Sequence, residues 1–149
     1  WDTSGQEKFN SIITSYYRNI VVALIVFDLS NKESFLNVKK WLDNVYFYSH
    51  SNILVKLIGN KCDKNIKISR DAINDLCFDN KIKYIEVSAK NDININEIFT
   101  SVIDEIHDKL NKCELVPNKD NGISITDTFK YDYKKNNDSV KEPKCCNIL

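Results

Sequence analysis

The 149-residue sequence has no methionine and is poor in glycine and proline, with three and two residues respectively. Because a start residue is missing, we expect the sequence to begin inside a longer protein. The longest apolar run, residues 20–27, is far shorter than the ~18 residues of a membrane-spanning helix. The opening Trp-Asp-Thr-Ser-Gly lacks the basic stretch and apolar segment of a secretory signal. The sequence therefore predicts neither a transmembrane helix nor a signal peptide within these residues.

An excess of either charge is also absent, since 21 basic side chains balance 21 acidic ones. Proteins that bind nucleic acid carry a basic excess, so nucleic acid is not an expected partner. The five cysteines are an odd number and do not fit a disulfide framework. Cys62, Cys77 and Cys113 have no Cys or His neighbour at metal-ligand spacing, and we predict ordinary thiols in a reducing, cytosolic compartment.

Residues 1–112 alternate apolar and amphipathic segments, whereas residues 113–149 are mainly polar and show no sustained period. The predicted strands cover residues 20–27, 53–58 and 84–87, and the predicted helices cover residues 35–45, 70–80 and 95–110. This alternation predicts one α/β domain, a three-layer open and mostly parallel sheet with helices on both faces. The polar residues that follow predict a flexible tail.

Polar residues before the three predicted helices indicate where each helix begins. Ser30 with Glu33, and Asn94 with Glu97, have the spacing of a capping box, and Ser69 is the predicted cap of the middle helix.

Ligands of an open parallel sheet bind beyond the carboxyl ends of its strands, so functional motifs should directly follow strands. Asn60-Lys61-Cys62-Asp63 follows the second predicted strand, and Ser88-Ala89-Lys90 follows the third. The opening residues 1–7 precede a predicted helix and fit the end of a strand lying upstream.

Together and in this order, the three segments resemble the switch II, base-recognition and final base-contact motifs of the Ras-like small GTPases. Residues 1–9, 16–20 and 25–30 further resemble stretches of the Rab proteins, although Ser4 and Asn19 replace a usual Ala and Gly. Ran shares the Gly-Gln-Glu-Lys-Phe segment but lacks the Tyr-Tyr-Arg stretch and a lipidated tail, so it fits less well. The resemblance implies a small G-domain of the P-loop NTPase fold in residues 1–112, incomplete at its N-terminus.

The resemblance implies a guanine site made of Asn60, Lys61, Asp63, Ser88, Ala89 and Lys90. Asn60 would brace its loop and touch the base, Asp63 would pair with the guanine donors, and Ser88 would orient Asp63. The backbone N–H of Ala89 would donate to the guanine oxygen. The stem of Lys61 would lie along one ring face, and Lys90 would cover the other.

The resemblance also implies a phosphate side and an effector face. Asp2 would hold Mg²⁺ through a water, the Gly5 N–H would meet the γ-phosphate, and Gln6 would orient the attacking water in catalysis. A Gly-x-x-x-x-Gly-Lys-Ser/Thr phosphate loop and the switch I threonine do not occur in these 149 residues, and we expect them upstream.

Three aromatic residues, Trp1, Phe9 and Tyr16, would lie on the switch face and contact effectors. The alternative is that they only pack the switch helix on the sheet.

The end of the sequence resembles a prenylation signal. Cys146 is fourth from the end and Leu149 is last, which is typical of a geranylgeranyl C-a-a-X site, although Asn147 is not aliphatic. Cys145 could carry a second lipid, and stable anchoring generally takes two signals. The alternative is an unmodified pair of thiols.

These resemblances predict a Rab-like GTPase that binds GTP and GDP, hydrolyses GTP, and regulates vesicle traffic. They imply exchange factors, GTPase-activating proteins, escort or dissociation-inhibitor proteins and effectors as partners. The prenylated tail would hold the protein on the cytoplasmic face of intracellular membranes, in exchange with the cytosol. The alternative function is a non-catalytic prenylated binding module derived from a small GTPase.

Overall fold

The computed structural model describes residues 16–17, 20–49, 52–112 and 114–115. Its strands and helices are β1 (Val22–Asp28), α1 (Lys32–Leu36), α2 (Val38–Tyr48), β2 (Leu54–Asn60), α3 (Arg70–Asn80), β3 (Lys83–Glu86) and α4 (Ile95–Asn111). The predicted alternation of strands and helices is confirmed. None of these helices combines the length and the hydropathy that a bilayer-spanning segment requires.

The described strands form a parallel sheet in the order β1-β2-β3. Asp28 at the end of β1 lies opposite Asn60 of β2, and Gly59 lies opposite Glu86 of β3. Parallel neighbours need crossover connections, which α1 with α2 and then α3 supply. The carboxyl ends of the three strands therefore meet at one edge of the sheet.

One face of the sheet carries the main core, under α1, α2 and α3. Its buried residues are Ile25, Phe27, Leu29, Val38, Leu42, Val45, Val55, Leu57, Ile68 and Ile73. Side chains alternate between faces along a strand, so odd-numbered residues of β1 and β2 meet the helices here. At the rim of this core the ring of Tyr84 lies over Gly59, where an added Cβ would come within 2.5 Å of the Tyr84 hydroxyl oxygen.

The second face is covered by α4 over part of the sheet. Ile98 of α4 packs with Ile58 and Val87. Farther along this face, Leu24 and Val26 of β1 are 37% and 58% exposed. No element among the described residues lies over these two side chains, whereas Ile25 and Phe27 on the opposite face of β1 are buried.

The first helix differs in detail from its prediction. α1 is capped by Asn31, whose Oδ1 accepts from the backbone N–H groups of Glu33 and Ser34. The predicted cap, Ser30, is wrong because its hydroxyl donates to the last carboxylate of β1 instead. The helix predicted over residues 35–45 is divided at Asn37 into α1 and α2.

The other two predicted caps have different outcomes. The Ser69 hydroxyl accepts from the N–H of Ala72 at 3.3 Å, which confirms the cap of α3. Asn94 stands at the start of α4 with a left-handed backbone, φ 57°, and its side chain makes no capping bond. Its amide donates to the carbonyl of Glu86, so this residue secures the preceding loop instead of the helix.

A buried lysine joins the sheet to α4. Lys56 is 1% exposed, and its Nζ donates to Oε1 of Glu105 at 2.6 Å. The Nζ of Lys83 donates to the same oxygen at 2.8 Å. Burial alone would raise the pKa of Glu105, but the hydrogen bonds from the two lysines outweigh it and leave that pKa below its usual value.

Glu105→Ala is expected to lower the free energy of unfolding by about 3 kcal/mol, because it leaves Lys56 buried without a counter-charge. Lys83→Ala, which removes a lysine that is 70% exposed, should cost less than about 1 kcal/mol. The contribution of Glu105 is present above its unfolded-state pKa and disappears as the pH falls through its lower folded-state pKa. Urea unfolding at neutral and acidic pH measures both effects, and equal losses for the two variants at neutral pH would contradict this interpretation.

Candidate functional site

The predicted base-contact residues lie in the loops that follow β2 and β3, at the carboxyl edge of the sheet. Backbone hydrogen bonds tie these loops together, since the N–H of Cys62 donates to the carbonyl of Val87 at 3.0 Å. The loop after β1 joins them, because the N–H of Leu29 donates to the carbonyl of Asn60 at 3.0 Å. The strand order thus brings together segments that are about 30 residues apart in the sequence.

Asn60 links two of these loops through one side-chain oxygen. Its Oδ1 accepts from the N–H of Lys61 at 2.7 Å and from the N–H of Ala89 at 3.1 Å. This geometry suits the bracing role expected of Asn60. The Ala89 N–H is already engaged here, so its expected donation to a base oxygen requires that it be shared or that Asn60 turn away.

Asp63 is fixed by a buried hydroxyl. The Oγ of Ser88, a residue with 0% exposure, donates to Oδ1 of Asp63 at 2.5 Å. The same Oγ accepts from the N–H of Asn91 at 3.2 Å, so the hydroxyl proton is directed toward the carboxylate. Asp63 itself is exposed and can be reached by a ligand.

The groups around Asp63 also stabilise the ionised form of its carboxylate. The hydrogen bond from Ser88 is the main cause that holds the pKa of Asp63 below its usual value, and the positive charges of Lys90 and Lys64 add to it. The side chain is therefore an ionised acceptor at neutral pH. An oriented carboxylate that is open to solvent is suited to receive two parallel donors.

Lys61 is held at both ends. Its backbone has φ 64°, a left-handed conformation that is uncommon outside glycine, and its Nζ donates to Oδ2 of Asp28 at 2.7 Å. Asp92 and Asn94 in the loop after β3 are left-handed too, with φ 55° and 57°. Such backbone strain concentrates at binding sites, where the surrounding hydrogen bonds maintain it.

Asp28 and Ser30 are part of this edge, although the motifs in the sequence assigned them no role there. Oδ1 of Asp28 accepts from the backbone N–H of Ser30 at 2.8 Å and from its hydroxyl at 2.6 Å. The hydrogen bond from Lys61 is the largest of the causes that hold the pKa of Asp28 far below its usual range, followed by that from Ser30. The signal in the sequence was position, since Asp28 ends a strand just as Asn60 does.

The remaining predicted site residues have different outcomes. Lys90 is exposed next to Ala89, and Tyr16 is half-buried in a helical pair with Tyr17. The others, Trp1, Asp2, Gly5, Gln6, Phe9, Cys145 and Cys146, lie outside the described residues. The described part of the chain holds no group of three or more His, Cys, Asp or Glu side chains that could bind a metal ion.

A cavity of about 320 Å³ opens beside this edge, between the start of α3 and β3. Arg70, Asn74, Tyr84 and Glu86 supply its polar lining, and Ile73 supplies an apolar wall. None of the six predicted guanine contacts lines it, so it is distinct from the predicted base site.

Comparison with known proteins gives consistent matches. A sequence model of the Ras family matches residues 1–108. Ras-related protein Rab-8 of Diplobatis ommata is 41% identical over 114 residues, which are 75% of this chain and 54% of that protein. Ras-related protein Rab-8B of Homo sapiens is 40% identical over 114 residues, 75% of this chain and 55% of that protein. Ras-related protein Rab-39A of Homo sapiens is 42% identical over 118 residues, which are 77% of this chain and 54% of that protein. The chain therefore spans about half the length of the curated relatives it matches.

Proposed function

Because this chain belongs to the Ras family of small GTPases and is similar to Rab-8 and Rab-39A, we propose that the whole protein is a guanine-nucleotide switch of the Rab type. It binds GTP and GDP, hydrolyses GTP, and acts in vesicle traffic. The observation that carries the proposal is the Asp63 carboxylate, which Ser88 orients at the carboxyl edge of a parallel sheet.

Guanine recognition follows from the chemistry of this edge. Asp63 accepts from the N1–H and the 2-amino group of guanine, and Ser88 keeps the carboxylate in position. Adenine would leave these acceptors unpaired, a cost that allows such a site to discriminate strongly. The stem of Lys61 lies along one ring face, Lys90 covers the other, and Asn60 holds the two loops in place.

The phosphate side of the proposed site depends on residues preceding Trp1. We expect a phosphate-binding loop and the switch I threonine there, because guanine contacts alone do not hold a triphosphate. Asp2 and Gly5 would complete the phosphate and Mg²⁺ contacts, and Gln6 would orient the attacking water.

The partners and the location are also proposals. Exchange factors, GTPase-activating proteins and effectors would bind the switch face near Trp1, Phe9 and Tyr16. Escort or dissociation-inhibitor proteins would take up the lipidated tail, with Cys145 and Cys146 as the lipid sites. The protein would cycle between the cytosol and the cytoplasmic face of an intracellular membrane.

Gln6→Leu in the full-length protein is expected to slow GTP hydrolysis about 10- to 100-fold while leaving GDP affinity unchanged, because Gln6 positions water and does not contact the base. A single-turnover assay with radiolabelled GTP measures the rate. Asn65→Leu, which replaces an exposed polar residue in the loop after β2, is the control and should hydrolyse GTP at the unaltered rate. Equal hydrolysis by the Gln6 variant and the unaltered protein would contradict the catalytic role.

The alternative function is a non-catalytic prenylated binding module derived from a small GTPase. The coding sequence upstream of Trp1 distinguishes the two functions. An intact phosphate loop in frame would exclude the module, and a start codon immediately before Trp1 would exclude the GTPase.

A further inference from the structure

We infer that Asp28 is a positioning residue of the guanine site, which holds the Lys61 side chain in place for the base. The inference rests on the proposed function. It concerns a side chain on β1, outside the two base-contact motifs. Asp28 reaches the site because it lies opposite Asn60 in the sheet, and Lys61 follows Asn60 directly.

The Asp28 carboxylate is itself a fixed group. Its Oδ1 accepts two hydrogen bonds from Ser30, at 2.8 Å from the backbone and 2.6 Å from the hydroxyl. Its backbone N–H donates to the Ser34 hydroxyl at 3.0 Å. Only Oδ2 is left for Lys61, at 2.7 Å, so the carboxylate presents one acceptor in one direction.

This arrangement fixes both ends of Lys61 while its stem stays accessible. The backbone is held by the hydrogen bond to Asn60 Oδ1, and the ammonium is held by Asp28. The side chain between them is 45% exposed, so its methylene groups offer a preformed surface for a planar ring. Ordering a flexible lysine before the ligand arrives removes an entropic cost from binding.

The pair also separates Lys61 from Asp63, which lies only two residues further along the loop. A lysine bound to Asp63 would occupy the oxygens needed for the guanine donors. In the described part of the chain, the ion pairs join Lys61 to Asp28 and join no lysine to Asp63. Asp28 thus keeps the base-reading carboxylate open to the ligand.

The test measures the release of a fluorescent GDP analogue from the full-length protein. Asp28→Asn keeps the shape of the side chain but removes its charge, and we expect release about three- to tenfold faster, a range reduced from that of a buried charged pair because Lys61 is partly exposed. Asp43→Asn, an exposed acid on α2, is the matched control and should release GDP as the unaltered protein does.

A double-mutant cycle with Lys61→Ala separates positioning from a structural role. If Asp28 acts through Lys61, Asp28→Asn adds no further acceleration in the Lys61→Ala background. The inference would be overturned if Asp28→Asn accelerated GDP release equally with and without Lys61→Ala, or if Asp28→Asn alone did not accelerate it. Should Asp28→Asn not fold, Ser30→Ala, which removes the 2.6 Å hydrogen bond and leaves the carboxylate, enters the same cycle with an expected change of about twofold.

The proposed function can fail separately from this inference. If the unaltered protein binds no guanine nucleotide, the proposed function fails and the inference fails with it. If it binds GDP and Asp63→Ala abolishes binding, while Asp28→Asn changes nothing, only the positioning role of Asp28 fails.

Discussion

Asp63→Ala is expected to weaken GDP binding by the full-length protein about 100- to 10,000-fold, the largest effect of any single substitution at the site. In the proposed complex, this substitution would remove two charge-assisted hydrogen bonds and leave both guanine donors unpaired, at about 1.5–3 kcal/mol each. Ser88 would lose its hydrogen-bond acceptor as well. Isothermal calorimetry with GDP measures the loss.

The control for Asp63→Ala is Asp75→Ala, which removes an exposed acid from α3 and should leave GDP affinity unchanged. Asp63→Asn offers a sharper comparison, because an amide can donate to the 2-carbonyl of xanthine and cannot accept from both guanine donors. The Asn variant should therefore prefer xanthosine diphosphate over GDP. Unchanged GDP affinity in the Ala variant would exclude Asp63 as the base-reading residue.

The combined substitution of Cys145 and Cys146 by Ser is expected to lower the membrane-bound fraction of the full-length protein at least about tenfold. The proposed lipids supply the apolar area for anchoring, and a single chain binds only marginally. The nearby lysines contribute little, since acidic residues lie among them. Fractionation of cells that express each variant measures the effect.

Cys113→Ser is the matched control for the tail, since this cysteine lies outside the proposed prenylation signal and its replacement should leave the membrane fraction unchanged. Comparison of the single variants shows whether one cysteine or both carry a lipid. An unchanged membrane fraction in the double variant would contradict the anchor.

Much of the fold was predictable from hydrophobic patterning. The continuous apolar run of β1 and the stripe of Val38, Leu42 and Val45 led directly to the strand and helix that the structure contains. Because ligands bind beyond the carboxyl ends of parallel strands, the segments around Asn60 and Ser88 could also be predicted to lie at one edge of the sheet. These signals are local or depend on topology alone, which is why a single sequence was enough to predict these elements and their shared edge.

Contacts that depend on register could not be predicted in this way. The pair between Asp28 and Lys61 spans 33 residues and arises because Asp28 and Asn60 lie opposite each other. Lys56 interrupts an apolar strand, and its burial depends on Glu105, 49 residues away on α4. In neither pair does the spacing of the residues along the chain indicate that they are partners.

The two wrong predictions of helix caps, Ser30 and Asn94, have a related cause. A serine or asparagine before a helix has several partners within reach, and tertiary contacts decide among them. The Ser30 hydroxyl donates to the carboxylate of Asp28, and the Asn94 amide donates to the carbonyl of Glu86. Each side chain therefore stabilises the loop after a strand instead of capping the helix that comes next. The loops of this edge thus depart from local rules where they assemble the candidate site.

Competition between nucleotides for the full-length protein tests guanine recognition at this edge most directly. The protein is loaded with fluorescent GDP and challenged with GDP, inosine diphosphate or adenosine diphosphate. Inosine diphosphate lacks the 2-amino donor that we propose pairs with Asp63, so it should compete about 10- to 100-fold less well than GDP, and adenosine diphosphate should scarcely compete. Equal competition by GDP and adenosine diphosphate would contradict guanine recognition by Asp63.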